Sequence, residues 1–212
     1  MGLKDITNKI KKEIGVLQGE DTKDKLYSQE NTFPDEPRAV QAYEQARQKL
    51  FNVNAWSDLS GINSTFKVYE STGALAQTDK VANGQYIKII LPGLAPENWV
   101  QVTDIREEQN EAEFTVHPSP APEPLTENPT EVKHFFTKEA SSTFRVERQG
   151  TTLKAYEIGK NEGINNQGEE AGNRAIINTL IAEGGWAGFQ AIQWDKLTSY
   201  LVHLEEAQPN KE

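Results

Sequence analysis

From Phe66 to Ile158 the apolar residues recur at every second position, in run after run. Phe66 and Val68 make the first run, and Ile87, Ile89 and Leu91, preceded by Gly84, make the second. Val100, Val102 and Ile105 give a third within 99–105, and Phe114 and Val116 a fourth within 111–117. Residues 132–136, 143–148 and 152–158 complete the series. Alternation of this kind marks strands with one buried face. Glu107–Asn110 and Gln149-Gly150 supply turn chemistry between neighbours, the latter an X-Gly hairpin signal. No helix long enough for a parallel crossover is evident between the runs, so a sheet of about seven antiparallel strands is expected.

The helical signals lie outside this block. Residues 38–51 carry Val40, Tyr43, Arg47 (by its stem) and Leu50 on one side, with Asp35, Glu36 and Pro37 suited to a first turn. Trp56, Leu59 and Ile62 follow through a turn-like NAWSDLSG. The C-terminal run 173–204 shows two apolar stripes. Ile176, Ile177, Leu180 and Ile181 form one, and Trp194, Leu197, Leu201 and Leu204 the other. Gly184, Gly185 and Gly188 separate them, which predicts two shorter helices with a joint at 184–188. The first stripe is expected to fill the sheet and the second to lock the chain end.

Upstream, Leu3, Ile6, Ile10, Ile14 and Leu17 put an apolar stripe on a basic helix over residues 1–17. It suits packing on the domain, self-association or a partner through residues 3–17, or a membrane surface. Residues 18–37 are polar and broken by Gly19, Pro34 and Pro37, and read as a linker. The segment 117–130, HPSPAPEPLTENPT, holds five of the ten prolines and reads as an extended connector or a proline-rich contact surface. A single domain over 38–205 and a disordered tail at 206–212 complete the expected organisation.

The formal charge of −10 argues against a nucleic-acid binder, which needs basic patches to displace counterions. The absence of cysteine removes disulfides, thiolate metal sites and cysteine nucleophiles. No membrane span and no leader pattern is evident, so a cytoplasmic location is expected. His117, His134 and His203 fall at no ligand spacing, and no metal is expected. No nucleophile elbow, phosphate loop or dinucleotide fingerprint occurs, so no catalytic residue and no cofactor is assigned. Asp58, Glu157 and Glu162 are available as carboxylates, but spacing alone does not bring any two together.

Two places look like parts of a site. Trp56-Ser57-Asp58 sets an aromatic beside a carboxylate where helix gives way to strand. Tyr156–Glu170 ends the last strand in glycines, amides and charges, and would put Tyr156, Lys160 and Glu162 at a cavity mouth. With Tyr86, Trp99 and Trp186 these make the candidate ligand-binding set.

The order of LFNVNAWSDL (50–59), the run 66–70, GQYIKIIL (84–91) and the helix from Asn173 resembles the START/Bet v 1-like (SRPBCC, helix-grip) superfamily. ILPG before Trp99-Val100, and the C-terminal GGWAGFQAIQW, look like an uncharacterised bacterial family of this kind. The resemblance implies an α+β fold, with a curved antiparallel sheet gripping C-terminal helices. It departs in two respects. A helix-grip chain begins with a strand, and none is evident before Arg38. The glycines at 184, 185 and 188 interrupt its long helix.

The expected function is a binding module for a small apolar or amphipathic ligand between sheet and C-terminal helices. Two alternatives stand beside it. One is an interaction or scaffold domain with a solid core, using the N-terminal helix and proline loop. The other is a hydrolase- or cyclase-type enzyme on the same fold, which requires a buried titratable pair.

Overall fold

In a computed structural model, residues 23–60, 62, 64–90, 98–127, 132, 134, 136–163 and 186–205 are described, with backbone alone at 124 and 186–192. The expected helix over residues 1–17, the stripe at 176–181 and the tail at 206–212 lie outside them.

Seven strands form one antiparallel sheet: β1 (Lys23–Thr32), β2 (Thr65–Tyr69), β3 (Tyr86–Ile90), β4 (Asn98–Glu107), β5 (Glu111–Pro118), β6 (Ser141–Gln149) and β7 (Thr152–Glu162). Their order is β1-β7-β6-β5-β4-β3-β2, so hairpin neighbours run through the whole sheet and β1 returns to close against β7. Among the described residues two α-helices flank this series, α1 (Glu36–Phe51) and α2 (Trp186–Leu201). The architecture is α+β, and a strand is the first element among the described residues.

That strand corrects the reading of 18–37 as a linker. β1 pairs with β7 from Lys23↔Glu162 to Thr32↔Thr152. A second correction balances it in the strand count. The run 132–136 is not a strand of the sheet: His134 sits in a bend and Phe136 in an isolated bridge. The proline segment is described over residues 117–127. Pro118 ends β5 opposite Val100, Glu123–Leu125 forms a short 3-10 turn, and Pro118, Ser119, Ala121 and Pro122 are buried. Pro118 and Pro122 are thus turned into the protein, and Pro120 is half-buried.

The hairpin turns follow their chemistry. Gln149 pairs with Thr152, and Gly150 between them takes φ 60°, a left-handed conformation that a side chain would strain. The register of β4 against β5 shifts between Val102 and Asp104. The bulge explains the three-residue step from Val102 to Ile105: it keeps both on the buried side.

Asp35 caps α1, its Oδ1 accepting from the Arg38 N–H at 2.9 Å, and proline lies in the first turn. The buried stripe of α1 is Ala39, Ala42, Tyr43, Ala46, Leu50 and Phe51. This rotates the expected face: Val40 is exposed, and Arg47 pairs with Glu44 at 2.6 Å. The three alanines let the helix lie close over β6, with β5 and β7 at its sides. A 3-10 helix (Val53–Asp58) then drops Trp56 into the core.

α2 lies over β1 and β7 and touches α1. Its start at Trp186 places Gly188 within the helix, where a joint was expected, and residues 164–185 lie outside those described. Trp194, Leu197 and Leu201 are buried as the stripe requires, whereas Leu204 is exposed. The chain end is tied to α1 through His203. The Lys49 ammonium donates to its Nδ1 at 2.9 Å, so Nε2 carries the hydrogen donated to the Ala42 carbonyl at 2.9 Å.

Candidate functional site

The face of the sheet beneath the helices collects one phase of each strand. Phe66 and Val68, Ile87 and Ile89, Val100 and Val102, Phe114 and Val116, Ser142, Phe144 and Val146, and Leu153, Ala155 and Glu157 all lie on it. Trp56 stands at its centre. Its ring meets Phe66, Phe114 and Phe144 at centroid distances of 5.7, 5.9 and 5.0 Å, and its Nε1–H donates to the Lys49 carbonyl at 3.0 Å.

Beside Trp56 the packing leaves a cavity of about 60 Å³. Its walls are mainly apolar: Phe66, Ile87, Val100, Val116, Phe144 and Trp194 carry most of them. His134, Ser141, Ser142 and Gln193 add polar atoms. Burial pushes the His134 imidazole down to about 3, and its Nδ1 accepts from the Phe136 N–H at 2.9 Å. A neutral ring with its hydrogen on Nε2 follows. Gln193 Oε1 accepts from the buried Ser64 hydroxyl at 2.6 Å. The Trp194 ring packs edge-on to Phe144 at 5.3 Å, and its buried Nε1–H has no hydrogen-bond partner.

Next to the cavity lies a polar corner that spacing did not reveal. Asn161 takes a left-handed φ of 51°, and Glu162 turns back over its own strand. A Cβ built on Gly159 would stand 2.5 Å from Glu162 Oε1, so the carboxylate occupies the space that this glycine leaves. In register, Gly159 lies between Ser142 of β6 and Lys25 of β1, and Lys25 Nζ is 3.3 Å from Glu162 Oε2. One step along, Glu157 lies between Phe144 and Tyr27.

Glu157 is fully buried, and neither carboxyl oxygen makes a well-formed hydrogen bond, the nearby Ser142 hydroxyl acting on it only weakly. Desolvation, reinforced by the Glu162 charge, raises its pKa to about 8, against the opposing pull of Ser142 and Lys25. Burial, with Glu157, Glu162 and Asp195 of α2, raises the Tyr27 hydroxyl to about 12. At neutral pH the corner therefore holds a Lys25–Glu162 ion pair beside a protonated Glu157.

The candidate residues divide between the two faces. Trp56 lines the cavity, and Glu162 belongs to the polar corner. Tyr86, Trp99 and Tyr156 are on the opposite face. Tyr86 pairs with Tyr69, and Trp99 packs on the Tyr69 ring at 4.9 Å with the Lys88 ammonium above it at 5.4 Å. The Tyr156 hydroxyl donates to Glu147 Oε1 at 2.8 Å, within an ion-pair ladder that includes Glu113 and Arg145 at 2.6 Å. Lys160 is exposed and pairs with Asp24 at 2.8 Å. Asp58 is also exposed. The Trp186 side chain lies outside the described residues.

Phase would have sorted these aromatics, since Tyr86 and Tyr156 alternate with Ile87 and Ala155. The same rule would have flagged Glu157, which follows Leu153 and Ala155 on the buried phase. Among the described residues no group of three His, Cys, Asp or Glu side chains is placed to hold a metal ion, and no helix is long and apolar enough to cross a membrane.

No family model and no curated protein matches the chain. Solved structures similar in fold include a hypothetical protein from Helicobacter pylori, at 13% identity over 88% of this chain and 92% of that one, with a TM-score of 0.43. Norcoclaurine synthase from Thalictrum flavum, in complex with dopamine and hydroxybenzaldehyde, is similar at 12% identity over 91% and 94%, with a TM-score of 0.39. Ginseng major latex-like protein 151 is similar at 10% identity over 76% and 93%, with a TM-score of 0.38. No residue role is carried over from these proteins.

Proposed function

We propose that the chain is a binding module for a small, largely apolar molecule held between the sheet and α2. The observation that supports this is the cavity of about 60 Å³ beside Trp56, walled by aliphatic and aromatic side chains with a few neutral polar groups. Apolar walls with sparse, fixed polar atoms are the usual make-up of a small-molecule site. The unpartnered Nε1–H of Trp194 gives such a molecule a place for one hydrogen-bond acceptor.

Volume narrows the ligand. Drug-sized molecules occupy sites of roughly 300 Å³ or more, and benzene enters an engineered cavity of about 150 Å³. The space here suits a molecule of a few heavy atoms.

The test is a ¹⁵N–¹H NMR titration of the full chain with 1-butanol. The expected result is saturable shifts at Ser142, Phe144 and the Trp194 indole. These shifts should be lost in Ala140→Leu, which fills the wall. A chain that shows no saturable shifts, or the same shifts after filling, overturns the reading.

A further inference from the structure

We propose that the polar corner on β1, β6 and β7 is a cation subsite, in which Glu157, flanked by Tyr27 and Glu162, takes the ammonium group of a small primary amine whose apolar body lies in the cavity. The inference rests on the binding-module reading and names the chemical class of its ligand.

Three observations carry it. Lys25 already faces Glu162, whereas Glu157 is fully buried with neither oxygen in a well-formed hydrogen bond and only the Ser142 hydroxyl and Lys25 acting to hold its charge. A buried carboxyl without a partner is costly in either protonation state, and a bound donor relieves that cost. The surroundings also set the sign of the missing charge. Glu162 acts on Glu157 more strongly than Lys25 does, and Asp195 adds to the negative field at Tyr27 opposite. Such a field opposes a second anion and favours a cation. Finally, corner and cavity share a wall. Ser142 lines the cavity, stands beside Gly159 and Glu162 in register, and acts on Glu157. Ser142 is therefore the residue past which an amine with a short apolar chain would reach from the cavity to the carboxyl.

The exchange balances in charge and atoms. The empty site holds a neutral Glu157 carboxyl; an incoming ammonium leaves a carboxylate–ammonium pair, and one proton goes to solvent. Amine affinity therefore rises about tenfold per pH unit while Glu157 is protonated in the empty protein, and levels off near the value of about 8 to which burial raises it. The groups facing Glu157 are Lys25 and Tyr27 from β1, Ser142 from β6 and Glu162 from β7, with Asp195 of α2 beyond Tyr27.

The experiment titrates the full chain with n-butylammonium and with its neutral isostere 1-butanol, by NMR between pH 6 and pH 9, in the native protein and in Glu157→Gln. The expected result is n-butylammonium binding that tightens about tenfold per unit to near pH 8. In Glu157→Gln it weakens at least tenfold at pH 8 and loses its pH dependence, while 1-butanol binding holds.

Binding of 1-butanol without n-butylammonium overturns the cation subsite and leaves the cavity reading standing. Binding of n-butylammonium at Glu157 without 1-butanol overturns the cavity reading and the placement of the amine's apolar body in it, leaving only the carboxyl–ammonium contact. Binding of neither overturns both. Should Glu157→Gln fail to fold, the slope of the native protein decides, and a flat profile overturns the proposal.

Discussion

The Glu162 carboxylate sits where a side chain on Gly159 would begin, 2.5 Å from the position of the missing Cβ. The contact joins a turn at the end of β7 to the Lys25–Glu162 ion pair. Gly159→Ala therefore displaces the carboxylate and loosens that pair. Removing one member of a buried pair costs about 3–5 kcal/mol, and displacement costs less, roughly 2 kcal/mol. Urea unfolding of Gly159→Ala, alone and combined with Glu162→Gln, checks it: the alanine should cost much less once Glu162 is already neutral.

Glu157 gives stability a downward slope with pH. Its carboxyl titrates near the ordinary 4.5 when exposed and at about 8 in the folded chain, so between these values the folded state holds the extra proton. The stabilisation is complete below 4.5 and is lost as pH rises towards 8, at up to about 1.4 kcal/mol per unit. Glu157→Gln should flatten this part of the profile and be more stable than the native chain at pH 9, as read from urea midpoints at matched ionic strength.

Trp194 offers a separable test of the cavity. Trp194→Phe keeps an aromatic ring against Phe144 but deletes the orphaned N–H. Affinity for 1-butanol should fall about fivefold, the value of a neutral hydrogen bond of ~1 kcal/mol. n-Butylammonium, which has no acceptor, should bind as before. NMR titrations of the two probes measure both.

At the centre of the core, Trp56→Ala should cost about 3–5 kcal/mol, as expected for an aromatic removed from a packed interior. Trp56→Phe should cost less, because the ring contacts with Phe66, Phe114 and Phe144 are partly kept. It still leaves the Lys49 carbonyl without its indole donor. Thermal unfolding ranks the two.

Deletion experiments at the N-terminus should stop at residue 22. Removing 1–22 leaves β1 intact, so a change in self-association would report on the expected helix at 1–17. Removing 1–32 strips β7 of its partner and takes Lys25 and Tyr27 from the polar corner. Loss of cooperative unfolding by circular dichroism is the expected result.

The strands with apolar inward phases were legible in the sequence, because Phe66/Val68 or Ile87/Ile89 state their buried face directly. β1 was not. Its inward side carries Lys25, Tyr27, Gln29 and Asn31, while its most exposed large apolar residue, Leu26, points away from the core. Polar groups line that side because it borders the ion pair, and Asn31 donates to the Val202 carbonyl at 2.9 Å. The period is present but its polarity is inverted, so a hydrophobic rule misses the strand. The opposite error arose over 132–136, where His134 and Phe136 are buried outside the named strands of the sheet. For the candidate site, residue type pointed to Glu162. Its place beside Glu157 depends on a left-handed Asn161 and a bare Gly159, which spacing does not encode.

The strand order also fixes when the polar corner comes into being. Neighbouring strands from β2 to β7 close through local hairpins, but Lys23 meets Glu162 only after the intervening chain has been gathered. Contacts of such long sequence separation carry a large closure entropy and form slowly. Lys25 and Tyr27 arrive with that long-range pairing, so the carboxyl's neighbours on β1 depend on a closure that the hairpins alone do not make. Recognition of a charged ligand is thereby made contingent on the two ends of the fold having joined.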